Sequence, residues 1–159
     1  MPAVKIHHYL ASLGGAALLA LSLPAMADMH GGHANESFRQ KAPENAEVYI
    51  VSPKDGETVS NPVRVVFGLR GMGVAPAGVE MEHTGHHHLL VDAPVPTGDD
   101  LEMPLPADDR HIHFGGGQTE TEITLAPGRH TLQLLLGDHN HIPHDPVIAS
   151  DVITIEVRE

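Results

Sequence analysis

Apolar and polar positions follow three successive patterns along the chain. Residues 9–23 form an almost unbroken apolar run, and residues 28–46 are polar, contain Gly31-Gly32 and carry no apolar period. From residue 47 onward, short apolar or alternating segments are separated by turn residues, the pattern of strands joined by tight connections. It predicts strands near residues 48–51, 63–69, 86–92, 119–125, 130–136 and 151–157. In the last of these, Val152, Thr154 and Glu156 alternate with Ile153, Ile155 and Val157. Pro53-Lys54-Asp55-Gly56 and Pro127-Gly128 have turn chemistry, since proline presets φ and glycine accepts positive φ. Residues 93–110 carry Pro94, Pro96, Pro104 and Pro106 and read as irregular, with room for a short edge strand. No segment after residue 27 shows helical period.

This spacing predicts an all-β domain at residues 47–159, an immunoglobulin-like Greek-key β-sandwich of about seven short strands, with a small open barrel as the alternative. Aromatic residues make up 3% of the chain and there is no tryptophan or cysteine. The core is therefore expected to be aliphatic, and the likeness to antibody domains is one of architecture only. Residues 1–27 read as a secretory signal peptide. Lys5, His7 and His8 make a positive start, the apolar run falls short of the roughly 20 residues that span a bilayer, and Pro24-Ala25-Met26-Ala27 offers small residues for cleavage after Ala27. The expected location is a bacterial periplasm. Residues 28–46 are expected to be a flexible, histidine-containing tail.

Charge and composition then remove several function classes. The net charge is −12, from 9 Lys+Arg against 21 Asp+Glu. That excludes the basic surface nucleic acid requires and disfavours anionic lipid, so no membrane contact is expected after cleavage. Without cysteine there are no disulfides, thiolate metal sites or cysteine nucleophiles. No serine sits in a nucleophile-elbow pattern.

The 14 histidines are the informative excess. Most fall in three windows, HTGHHHLLVD (83–92), HIHFGGGQTE (111–120) and LGDHNHIPH (136–144). Each holds a His-x-His pair: His86 and His88, His111 and His113, His139 and His141. On extended backbone such pairs share a face, and imidazole suits copper, zinc, nickel and iron. In an immunoglobulin-like sandwich the first window opens the third long strand, the second leads into the next and the third follows the one after. The loops concerned meet at one pole, which is where a metal site is expected, with His144 and His83 as further candidates. Met72 and Met81 lie beside the first window and Met103 in the proline-rich stretch. Thioethers select Cu(I) over zinc, which tilts the expectation toward a copper ion, with a zinc ion next. His87, in register with Leu89 and Val91, reads as a core residue or a support behind the ligands, and His130 as a structural one bonded to backbone. Asp92, Asp138 and Asp145 are either orienters of imidazole N–H groups or turn residues. If cleavage follows Ala27, then Asp28-Met29-His30 offers an amine, two backbone nitrogens and an imidazole, a square-planar Cu(II)/Ni(II) site.

The segments VYIVSPKDGETV, VFGLRGMGVAPAG, TGHHHLLVD, HIHFGGGQTE and LQLLLGDHNHIPH occur in this order. Together they resemble a bacterial periplasmic family catalogued as domain of unknown function 4399, over about residues 47–157. The resemblance implies a secreted single-domain protein and supplies no catalytic residue. The expected function is metal binding, as a buffer, carrier or delivery factor exchanging its ion with a periplasmic donor or acceptor protein. The alternatives are a metalloenzyme of superoxide-dismutase-like or hydrolytic type, with Glu120 or Asp138 as base, and a metal-free envelope protein-interaction module.

Overall fold

Alternation between buried and exposed side chains builds nine strands and two sheets. The computed structural model describes residues 38–159. The strands are β1 (Glu47–Ser52), β2 (Thr58–Ser60), β3 (Val63–Arg70), β4 (Gly73–Val74), β5 (Thr84–Val91), β6 (His111–His113), β7 (Glu120–Ile123), β8 (Gly128–Gly137) and β9 (Ile153–Arg158). One 3-10 turn, Gly98–Glu102, is the helical element among the described residues. The smaller sheet has the order β1-β3-β7, and the larger runs β2-β9-β8-β5-β4 with β6 also on β5. The protein is all-β, a sandwich as expected, and this strand order is compatible with an immunoglobulin-like topology. The expected signal peptide, the expected Asp28/His30 site and the first part of the segment read as tail lie outside the described residues.

The main core lies between the sheets. Val48, Val63, Val65, Phe67 and Ile123 from the smaller sheet meet Leu89, Val91, Leu132, Leu134, Leu136, Ile155 and Val157 from the larger. Each strand contributes alternate positions, as period-two geometry requires. The larger sheet is buried on its other face as well, where Leu90, Leu105 and Leu135 form a second cluster, flanked by Ala93, Val95, Val147 and Ala149. Burial on both faces explains why Leu134-Leu135-Leu136 and most of β5 read as continuous runs.

Three expectations change. Residues 93–110 hold the 3-10 turn and cover the outer face through Leu105, and form no edge strand beyond an Asp108–His111 bridge. The segment His111–His113, read as part of a loop, is a strand paired antiparallel to β5, with His113 opposite His88 and His111 opposite Leu90. Three residues are too few to display a period. Finally, residues 39–46, read as tail, are tied to the domain. Ala42 N–H donates to the Asp145 carbonyl and Asp145 N–H to the Gln40 carbonyl, both at 2.9 Å. Arg39 donates to the carbonyls of Pro143 and His144, and Lys41 pairs with the Asp145 carboxylate.

Candidate metal centre

His86 and His88 stand on the outward face of β5, the face of Leu90, because residues two apart on a strand project to one side. Both are fully buried, at 0% exposure. Pairing β6 beside β5 puts His113 next to His88, and the turn after β8 brings in His141. That turn is built by Asp138. Its Oδ1 accepts from the N–H groups of Asn140 (2.8 Å) and Ile142 (3.0 Å), while its own carbonyl accepts from His141 N–H at 2.9 Å. The wrap holds His141 at φ 68°, in the left-handed region, and the His141 carbonyl is fixed by Leu105 N–H at 2.9 Å.

The result is one group of four imidazoles, His86, His88, His113 and His141, in which one ring nitrogen from each lies within 4.8 Å of the others. Ring centroids are separated by 4.6 Å for His113–His141, 4.8 Å for His86–His88 and 5.0 Å for both His86–His113 and His86–His141. A tetrahedral ion with bonds of about 2.0–2.1 Å separates its donors by about 3.3 Å, so small ring rotations would close the shell. It is the one such group among the described residues.

Two further observations point to a ligand. First, His86 Nδ1, both ring nitrogens of His88 and His113 Nε2 are buried without a hydrogen-bond partner. Each such atom costs about 1–3 kcal/mol, and an ion would satisfy several at once. His86 Nε2 and His141 Nδ1 share a hydrogen bond at 3.0 Å. Second, burial pushes His88 down to about 3 and His86 to about 4, with neighbouring imidazoles adding to the effect, and it lowers His113 too. All three rings are therefore neutral at pH 7 and present lone pairs. The group can bind a metal ion.

Space for the rings comes from glycines that the sequence pattern does not mark. Gly137 lies opposite His86 across the β5–β8 pair. A Cβ there would sit 2.7 Å from His88 Cε1 and 3.3 Å from His141 Cα. A Cβ on Gly115 would run into the His113 ring. The segment after β4 was likewise unread as part of the site, although it stitches the three histidine windows together. Ala75 N–H donates to the Gly85 carbonyl, Ala77 N–H to that of Gly115 and Gly78 N–H to that of His139, at 2.9–3.0 Å. No sequence signal beyond its Gly/Ala/Pro content marks that role.

The remaining candidates are placed elsewhere. The windows do meet, near the start of β5 and the end of β8, with three of the donors on strands at the outer face of the sheet and His141 on the loop beyond β8. His111 donates from Nδ1 to Asp108 Oδ1 at 2.9 Å. His139 faces the Gln40 amide at 3.2 Å. His144 is fully buried with its ring nitrogens toward the carbonyls of Thr84 (3.2 Å) and Leu136 (3.5 Å). His83 is exposed. Met72 packs against the main core, and Met81 is 58% exposed. The thioether argument for copper thus finds no support in the group itself. As expected, His87 lies in the core against Phe67, with ring centroids 5.1 Å apart. His130 donates to Asp92 Oδ2 at 2.7 Å and to the Ala126 carbonyl at 2.9 Å. Asp92 and Asp138 hold backbone, Asp92 through Thr131 N–H at 2.8 Å.

Comparison with known families places this geometry. The family model described as Domain of unknown function (DUF4399) matches residues 65–158. The chain belongs to the DUF4399 family. The matched region contains all four converging histidines, Gly137 and Asp138, so the candidate centre of this DUF4399 protein lies wholly within the family domain. Neither a curated protein nor a solved structure matches the chain.

Proposed function

We propose that this DUF4399 protein is a periplasmic metal-binding protein that holds one copper ion through His86, His88, His113 and His141 and acts as a buffer, carrier or delivery factor. Zinc is the alternative ion. The observation that carries the reading is the convergence of four imidazoles, three of which hold buried ring nitrogens without a hydrogen-bond partner. The periplasmic location rests on the leader-like residues 1–27 and the cysteine-free composition. An acidic chain gathers cations, and a periplasmic donor or acceptor protein would exchange the ion.

Binding is favoured over catalysis because four imidazoles fill the shell that a catalytic ion leaves open. A hydrolytic ion also needs a base within reach. Glu120 instead pairs with Arg64 at the surface, and the Oδ1 of Asp138 is committed to backbone N–H groups.

Elemental mass spectrometry of the protein purified from the periplasm, followed by competition titration with Cu(I), Cu(II) and Zn(II), tests the proposal. One tightly held ion per chain is expected, lost in the His86→Ala/His88→Ala double variant. Weak, unselective uptake that survives the double substitution would overturn it.

A further inference from the structure

Asp138 is the only buried carboxylate among the described residues, at 2% exposure. It follows Gly137, which faces His86, and it opens the turn that carries His141. It therefore follows the glycine that faces one donor and anchors the turn that carries another, without belonging to the four-imidazole group. Those four donors bring no negative charge.

The cost of drying an ion rises with the square of its charge, and a buried charge is tolerated only when balanced nearby. With one carboxylate as the only buried negative charge, a monovalent ion held by imidazole lone pairs leaves the buried region neutral. A divalent ion leaves an excess positive charge. Asp138 Oδ1 accepts two backbone N–H bonds, which fix the carboxylate in place, and its negative charge reaches His86, favouring cationic species there.

Resting on the metal-binding reading above, we propose that the centre is matched to a monovalent soft ion, Cu(I), because it holds only one buried counter-charge, and that this charge, on Asp138, keeps the Cu(II)/Cu(I) potential below that of an uncharged centre. Asp138 is here a positioning residue, with an electrostatic effect separable from its grip on the turn. Asp138→Asn keeps the Oδ1 acceptor for Asn140 and Ile142 and removes the charge. Asp138→Glu keeps the charge.

The experiment uses the full chain loaded with copper under anaerobic conditions. Cu(I) affinity is read by competition with a chromophoric Cu(I) chelator, Zn(II) affinity with a zinc indicator, and the Cu(II)/Cu(I) potential by mediated titration. The wild-type protein is expected to retain Cu(I) against a tenfold excess of Zn(II) and to show a potential above that of aqueous copper. Asp138→Asn is expected to weaken Cu(II) at least tenfold more than Cu(I), which for a one-electron couple raises the potential by about 59 mV. Asp138→Glu is expected to leave it near the wild-type value. If Asp138→Asn does not fold, as judged by circular dichroism, the wild-type selectivity and the Asp138→Glu potential still decide the matter. Tighter binding of Zn(II) than Cu(I), still dependent on His86 and His88, would overturn this inference and leave metal binding standing. A potential unmoved by Asp138→Asn would overturn the counter-charge role. Failure to bind any ion would remove both proposals.

Discussion

A histidine with both ring nitrogens buried and unpaired, as His88 has, is a poor choice for a core that needs only to be stable. Replacing it with an apolar side chain of similar size removes two desolvated polar atoms. His88→Leu is therefore expected to stabilise the metal-free protein by about 1–3 kcal/mol and to abolish ion binding, as read by urea unfolding and competition titration on the same preparation. A loss of stability without metal would mean the ring is held by packing alone. The same residue shows what the sequence allows one to read. The His86/His88 pair was visible because β5 is extended, so residues two apart share a face. The other two pairs contributed one ring each. His111 is carried past the centre, opposite Leu90, and bonds Asp108. The 139–141 segment is no strand: the Asp138 wrap and the positive φ of His141 send His139 toward Gln40. Period-two reasoning holds on strands and fails on turns, and a sequence window does not announce which it is.

At the scale of elements, the centre depends on β8 ending in a glycine. Gly137→Ala adds one methyl within 2.7 Å of His88 Cε1 and against the His141 backbone. Overpacking of this kind typically costs about 1–3 kcal/mol. The variant should fold with a lowered thermal midpoint and bind its ion at least tenfold more weakly, since the donors are pushed apart. Unaltered affinity would show that the rings have room the geometry does not suggest. The long strands were legible because each combines β-branched or leucine positions with a flanking turn. The short ones, β2, β4 and β6, were not. Their two or three residues are recruited by neighbours already in place, Thr58–Ser60 by β9 and His111–His113 by β5. Residues 39–46 are similar, since their docking is made by backbone hydrogen bonds and by Arg39 and Lys41 to residues near 143–145. Composition alone reads such a segment as tail.

Over the whole molecule, burial of neutral histidines makes folding a pH-dependent equilibrium. In the metal-free protein His86, His87, His88, His113 and His144 all have their folded values lowered, chiefly by desolvation. Below the unfolded value near 6.5 the unfolded chain takes up protons that the folded chain refuses, so stability falls as pH falls. The loss should run from about pH 6.5 down toward 4, where His86 also titrates. His130, raised by Asp92, works in the opposite sense and is partly exposed, so it offsets little. Urea midpoints should change little between pH 8 and about 7 and decline from there to pH 4.5, and a bound ion should raise them near neutrality and steepen the decline below it, because protons must then also displace the metal. A flat profile would contradict the buried, neutral state of the cluster. The two-layer architecture itself was readable from strand spacing and aliphatic composition. The second apolar layer outside the larger sheet was not, because the leucines that form it, Leu90 and Leu135, sit in runs whose two faces look alike in sequence.

The donors differ in how they can move. His86, His88 and His113 are held in a hydrogen-bonded sheet whose reverse side is the main core, whereas His141 rides on a turn. If the centre carries an ion as proposed, loading and unloading would have their hinge at this turn, and the residence time of the ion is expected to follow how often the turn at Asp138 lets go. Asp138→Ala, which removes both turn bonds, should release its ion to a chelator several-fold faster than Asp138→Asn, which keeps them. Equal rates would place the gate elsewhere. A partner collecting the ion would need to engage one loop and could leave the sandwich undisturbed.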